Sequence, residues 1–133
     1  MVPHIREGCR HNYYCWVVRV IEEKLGVSRN LYSRALTAEG FPNSTGYVEP
    51  LYLLPVFKQK LAIGNNGWPF KLSKKEYKKG ICPNAEKFYE KEFLLFEPCA
   101  WNINDSMLEL LCRALKKVYE NLSVLKTLGN DEI

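Results

Sequence analysis

The chain has 133 residues, 47% of them apolar and 26% charged, and a net charge of +4. That length suits one domain over residues 1–133 and is short for two, and the composition is that of an ordinary globular protein. No apolar run approaches the ~18 residues that a bilayer span needs, and the opening MVPHIREG lacks the apolar stretch of a secretory signal, so the expectation is a cytoplasmic protein without a membrane partner.

Residues 1–10 are polar and irregular. HNYYCWVVRV, residues 11–20, is aromatic and β-branched with no Gly or Pro, which predicts a strand. Both of its alternating faces are apolar, so it is expected to be covered on two sides or to lie at an interface. A turn is expected around Gly26. Ser28 then reads as the N-cap of a helix carrying Leu31, Tyr32, Ala35 and Leu36 at helical spacing, stopped by Gly40 and Pro42. Residues 44–48, STGYV, predict a short strand, and LYLL between Pro50 and Pro55 an extended stretch or single turn.

Residues 61–81, with Gly64, Gly67 and Gly80, lack periodicity and predict a long loop. Cys82-Pro83 opens a helix, because proline suits the first helical position, and Ala85, Phe88, Tyr89 and Phe93 mark one face of it. Leu94 to Phe96 is a short apolar run ended by Pro98. Ser106 and Glu109 have capping-box spacing. They precede a stripe of Met107, Leu108, Leu111, Ala114, Leu115, Val118, Leu122 and Leu125, with Gly129 as the stop. The order predicts an α+β fold, an α/β two-layer sandwich on a small antiparallel or mixed sheet.

The five cysteines, Cys9, Cys15, Cys82, Cys99 and Cys112, are odd in number and irregular in spacing, which argues for free thiols. Cys9, His11 and Cys15 lie close in sequence, but no CxxC pair accompanies them and no metal site is expected. Between Lys58 and Lys79 seven lysines face one acid, Glu76. The expectation is a solvated loop. A stand-alone basic module binding nucleic acid is the alternative, opposed by the lack of any helix-turn-helix spacing or ribonucleoprotein motif.

Five segments together carry a resemblance. HNYYCWVVRV places His11, Tyr14 and Arg19, and NLYSRALTAEGFP follows. GYVEPLYLLPVF places Tyr47, Pro50, Leu51, Tyr52, Pro55 and Phe57. CPNAEKFYEKEFLLFEPC places Pro83, Ala85, Glu86 and Glu90, and RALKKVYENL closes the series. In this order, over roughly residues 3–125, they resemble the C-terminal small domain of pyridoxal-phosphate-dependent sugar aminotransferases of the DegT/DnrJ/StrS type. The chain departs from the family at Tyr14, Gly46 and Tyr52, where members often carry His. Tyrosine still donates and accepts hydrogen bonds but does not titrate near neutral pH.

The resemblance implies the small-domain fold of fold-type I aminotransferases. It also implies a role in moving an amino group from glutamate or glutamine onto a keto-sugar, often nucleotide-linked, in polysaccharide or cell-surface sugar biosynthesis. In the family the Schiff-base lysine, the acid facing the pyridine nitrogen and most phosphate contacts lie in a large N-terminal domain. That domain is absent here, so no catalytic or cofactor-binding residue is assigned and inactivity alone is expected. His11, Tyr14, Tyr47 and Tyr52 are the implied substrate-binding residues, while Glu86 is expected to favour the helix start. The 61–81 loop, with Trp68 and Phe70, is expected to close over substrate or pack on the large domain. Expected partners are that domain, a separate full-length aminotransferase that the chain modulates, or a second copy covering bare apolar surface.

Overall fold

The computed structural model describes residues 4–64 and 66–128. Strand β1 spans Trp16–Arg19, much less than the expected residues 11–20. The backbone N–H groups of Tyr13 and Tyr14 are taken by the side chains of His11 and Asn12, at 2.8 and 3.3 Å. Tyr13 turns into the left-handed region at φ 51°. Local side-chain bonds thus outcompete the ladder before Cys15.

After β1 comes a short helix not foreseen in the sequence, α1 (Glu22–Leu25), closed by Gly26 at φ 71°. The predicted turn at Gly26 is therefore a helix C-cap. Helix α2 (Arg29–Ala38) begins as expected, with the Ser28 hydroxyl accepting from the Leu31 N–H at 3.2 Å. It ends where Gly40 takes φ 90°.

The expected strand at 44–48 reduces to a single bridge between Ser44 and Leu95. Gly46 at φ 110° turns the chain away from the sheet. Leu51–Leu53 forms one 3₁₀ turn, and α3 (Pro55–Lys58) follows unpredicted. The stretch from 61 to 81 is mostly loop, with one Ile63–Trp68 bridge and a 3₁₀ turn at Phe70–Leu72.

Helix α4 (Pro83–Lys87) opens on its proline as expected. It widens into a π turn over Phe88–Glu92 and runs directly into β2 (Phe93–Phe96). Phe93 is thus a strand residue and not part of a helical face. The widened turn leaves carbonyls without helical partners, and the buried Arg29 donates to the Tyr89 carbonyl at 2.6 Å.

Helix α5 (Asp105–Glu120) is capped by Asn104, whose side chain accepts from the Met107 N–H at 3.0 Å. The expected Ser106–Glu109 box does not form. Ser106 is already inside the helix, and Glu109 lies 3.5 Å from Arg113 one turn on. The long helix also breaks at Asn121, after which α6 spans Leu122–Thr127. Gly129, the expected stop, lies outside the described residues.

The sheet is antiparallel, with Trp16 opposite Phe96 and Arg19 opposite Phe93. Leu94 and Phe96 pack with Leu31 and Leu36 of α2, Ala114 and Val118 of α5, and Leu125 of α6. Fully burying a leucine contributes roughly 1.5–3 kcal/mol, and Leu31, Leu36 and Leu94 are fully buried. The class is α+β, with six helices and two paired strands among the described residues. No described helix is long and apolar enough to cross a membrane.

Candidate functional site

Two of the four candidate site residues, Tyr14 and Tyr47, converge, and the contacts of a third, His11, among the described residues are with Tyr13. His11 sits just before β1, its Nδ1 accepting from the Tyr13 N–H and its ring 4.4 Å from the Tyr13 ring. The next residue, Tyr14, brings its hydroxyl to 3.1 Å from that of Tyr47, which comes from the turn after Gly46. Both tyrosines are exposed, at 54% and 60%. The Tyr47 hydrogen bond holds the Tyr14 hydroxyl above the ordinary tyrosine pKa. Tyr14 is therefore neutral near pH 7, and the pair offers hydroxyls and ring faces to solvent.

Two further contacts fix this face. The Cys99 thiol donates to the Tyr14 carbonyl at 2.9 Å. Gly46 lies against Tyr89, and a Cβ there would come within 2.8 Å of that ring. The histidine that family members often carry at this position would meet both the ring and a strained backbone.

Tyr52 serves elsewhere. Its hydroxyl donates to the Glu86 carboxylate, which also accepts the Gly80 N–H at 2.7 Å. No hydrogen bond joins it to the Tyr14–Tyr47 pair among the described residues. Burial, then the adjacent Glu86 carboxylate, pushes Tyr52 up to about 12. The Tyr52 hydrogen bond, with help from backbone N–H groups and Lys79, lowers Glu86. Tyr52 is thus a permanent donor near neutral pH, and Glu86, buried in the first turns of α4, is a permanent acceptor. Together they fasten the end of the lysine-rich loop to α4. Phe57, Phe70 and Tyr77 hold its middle, with ring centroids 5.6–6.0 Å apart.

Along that loop Lys58, Lys78 and Lys79 lie near Glu49, Glu76 and Glu90. Lys60, Lys71, Lys74 and Lys75 have no carboxylate within 4.0 Å among the described residues. Cys9, Cys82, Cys99 and Cys112 are exposed, and all five cysteines are free. No three His, Cys, Asp or Glu side chains converge on a metal position among the described residues.

Sequence reading missed a large apolar concavity. A groove of about 550 Å³ lies between the chain around β1 and the N-terminal half of α5. Tyr13, Trp16, Phe41, Phe96, Trp101 and Met107 line it, and Trp101 stays 49% exposed. The sequence signal was the double-sided apolarity of residues 11–20 together with Trp101 beyond the last proline. The Tyr14–Tyr47 face itself presents hydroxyls and rings.

Comparison with protein-family models finds no match. Comparison with curated proteins also finds none.

Proposed function

We propose that the chain is the small lobe of a DegT/DnrJ/StrS-type sugar aminotransferase. It supplies one wall of a cleft whose cofactor lysine belongs to other polypeptide. The observation that carries this reading is the meeting of Tyr14 and Tyr47, 33 residues apart in sequence. These are two of the four residues that the resemblance assigns to substrate. Exposed hydroxyls and ring faces suit a sugar, whose hydroxyls exchange hydrogen bonds and whose C–H faces lie on aromatic rings. The departures from histidine fit a preference for a different sugar or cyclitol. Tyr52 and Glu86 have a separate role, holding the end of the lysine-rich loop to α4.

Pyridoxal phosphate, when bound to the complete enzyme, supplies the electron sink for transfer of the amino group. The residues of this chain orient the keto-sugar through Tyr14, Tyr47 and His11, and the exposed apolar groove suits packing against a second polypeptide.

The test has two arms. The purified chain, given pyridoxal phosphate, glutamate and a nucleotide-linked keto-sugar, forms no amino-sugar, and borohydride traps no lysine adduct. Joined to the polypeptide encoded immediately upstream of Met1, it forms amino-sugar. In the joined protein Tyr14→Phe and Tyr47→Phe each raise KM about three- to tenfold, the worth of one hydrogen bond of ~0.5–1.5 kcal/mol. Turnover by the isolated chain would refute the reading, as would an upstream polypeptide that confers no transamination.

A further inference from the structure

The hydrogen-bond phase of the sheet shows which edge is open. Val20 donates to the Glu92 carbonyl at 2.8 Å, continuing the register that pairs Arg19 with Phe93. In an antiparallel ladder, bonded and non-bonded pairs alternate. Trp16, Val18 and Val20 therefore direct their N–H and C=O groups toward β2. Val17 and Arg19 direct theirs the other way, and among the described residues nothing bonds to them there. The far side of β2 is different, because Ser44 exchanges hydrogen bonds with Leu95 at 3.0 and 2.9 Å. One edge is closed by a bridge, and the other carries two unpaired donors and two unpaired acceptors.

We propose that this edge is an interface for β1 of a second copy, forming a four-strand sheet in the order β2–β1–β1–β2. An alternating row of backbone donors and acceptors is matched by another extended backbone. The strand is also complementary to itself. Its two outward-directed residues lie symmetrically about Val18. A two-fold axis through Val18 pairs Val17 of each copy with Arg19 of the other and makes four hydrogen bonds.

Side chains agree with this register. Val18 meets Val18 of the second copy, and Trp16 meets Val20, so apolar faces apolar. Arg19 lies opposite Val17, and its charge is already matched by Glu92 at 2.5 Å. No like-charged pair is directly opposed, and the net charge of +4 on each copy acts at longer range, where salt screens it.

Four backbone bonds between short strands make a weak dimer, so association is read by sedimentation equilibrium at rising concentration and at moderate salt. The expected result is a reversible monomer–dimer equilibrium that tightens as salt screens the net charge. Val17→Pro removes an outward N–H that no bond within the copy uses, and proline is tolerated at such edge positions. It is expected to weaken dimerisation at least tenfold, while Val17→Thr, which keeps the N–H, leaves it within about twofold.

A second reading needs no variant. Hydrogen exchange at the Val17 and Arg19 amides slows as concentration rises, while other exposed amides are unchanged. A strictly monomeric chain at millimolar concentration overturns the proposal. So does a dimer that Val17→Pro leaves intact, or one that forms without protecting those two amides.

Discussion

Asn43 shows how one side chain can close several backbone accounts. Its Oδ1 accepts from the buried Ser33 hydroxyl at 2.6 Å, and its Nδ2 donates to the Ser33 and Phe41 carbonyls at 3.1 and 3.0 Å. The end of α2 is thereby tied to the chain that leaves it. Asn43→Ala removes the acceptor of a buried hydroxyl and the side-chain donor to the Phe41 carbonyl, while the Ser33 carbonyl keeps the Thr37 hydroxyl at 3.1 Å; leaving a buried polar group unpaired costs about 1–3 kcal/mol. A loss in the lower part of that range is expected, measured by urea unfolding, because water reaches the half-buried site. Glu92 is the corresponding charged case. It is 3% exposed and accepts from Arg19 Nε, while Lys87 Nζ lies 3.1 Å from its other oxygen but outside hydrogen-bonding geometry. Arg19 first, then Lys87, holds its pKa below the ordinary glutamate value against the opposing effect of burial. The stability it contributes is present above the ordinary value of ~4.3 and is lost as pH falls through the lower folded value. Glu92→Gln is expected to lower the urea midpoint at neutral pH, and the gap to wild type should shrink below pH ~4.3. A gap that stays constant across that window would mean the charge contributes nothing.

Capping decides where the elements begin. Ser28 and Asn104 each precede a helix with extended backbone and accept from the N–H three residues on. Ser106 has the right neighbours in sequence but lies within α5. Asn104→Ala is therefore expected to cost about 0.5–2 kcal/mol, and Ser106→Ala less than about 0.5 kcal/mol. Denaturant midpoints of the two variants separate the alternatives directly. The π turn between α4 and β2 is an element of another kind. Nothing in FYEKE announces it, and it persists because Arg29, from a different helix, reaches the Tyr89 carbonyl.

At the scale of the whole molecule, a long loop is fastened at two places to a small core. The Phe57–Phe70–Tyr77 cluster holds its middle, and the Tyr52–Glu86–Gly80 clip holds its end. Tyr52→Phe removes the hydroxyl that Glu86 accepts from and is expected to loosen the lysine-rich stretch without unfolding the core. The check is limited trypsin digestion, with cleavage after Lys71 to Lys79 accelerating several-fold while far-ultraviolet circular dichroism is unchanged. Unchanged cleavage would show that the aromatic cluster alone sets the loop.

Local rules made part of this legible from sequence. Ser28, Pro83 and the α5 stripe announced their helices, because caps, a fixed φ and 3.6-residue periodicity act within a few residues. The apolar run before Pro98 is where β2 falls, and the mixed α+β class followed from the order of elements. Tertiary structure decided what distance along the chain conceals. His11 and Asn12 bond their own neighbours and shorten β1, Gly46 turns the expected second strand into one bridge, and Asn104 displaces the expected cap. Tyr14 meets Tyr47 while Tyr52 is drawn to Glu86, a division that spacing could not specify. The groove beside Trp16 and the open edge at Val17 and Arg19 exist only once β1, β2 and α5 are assembled, because both are properties of surfaces that several segments share.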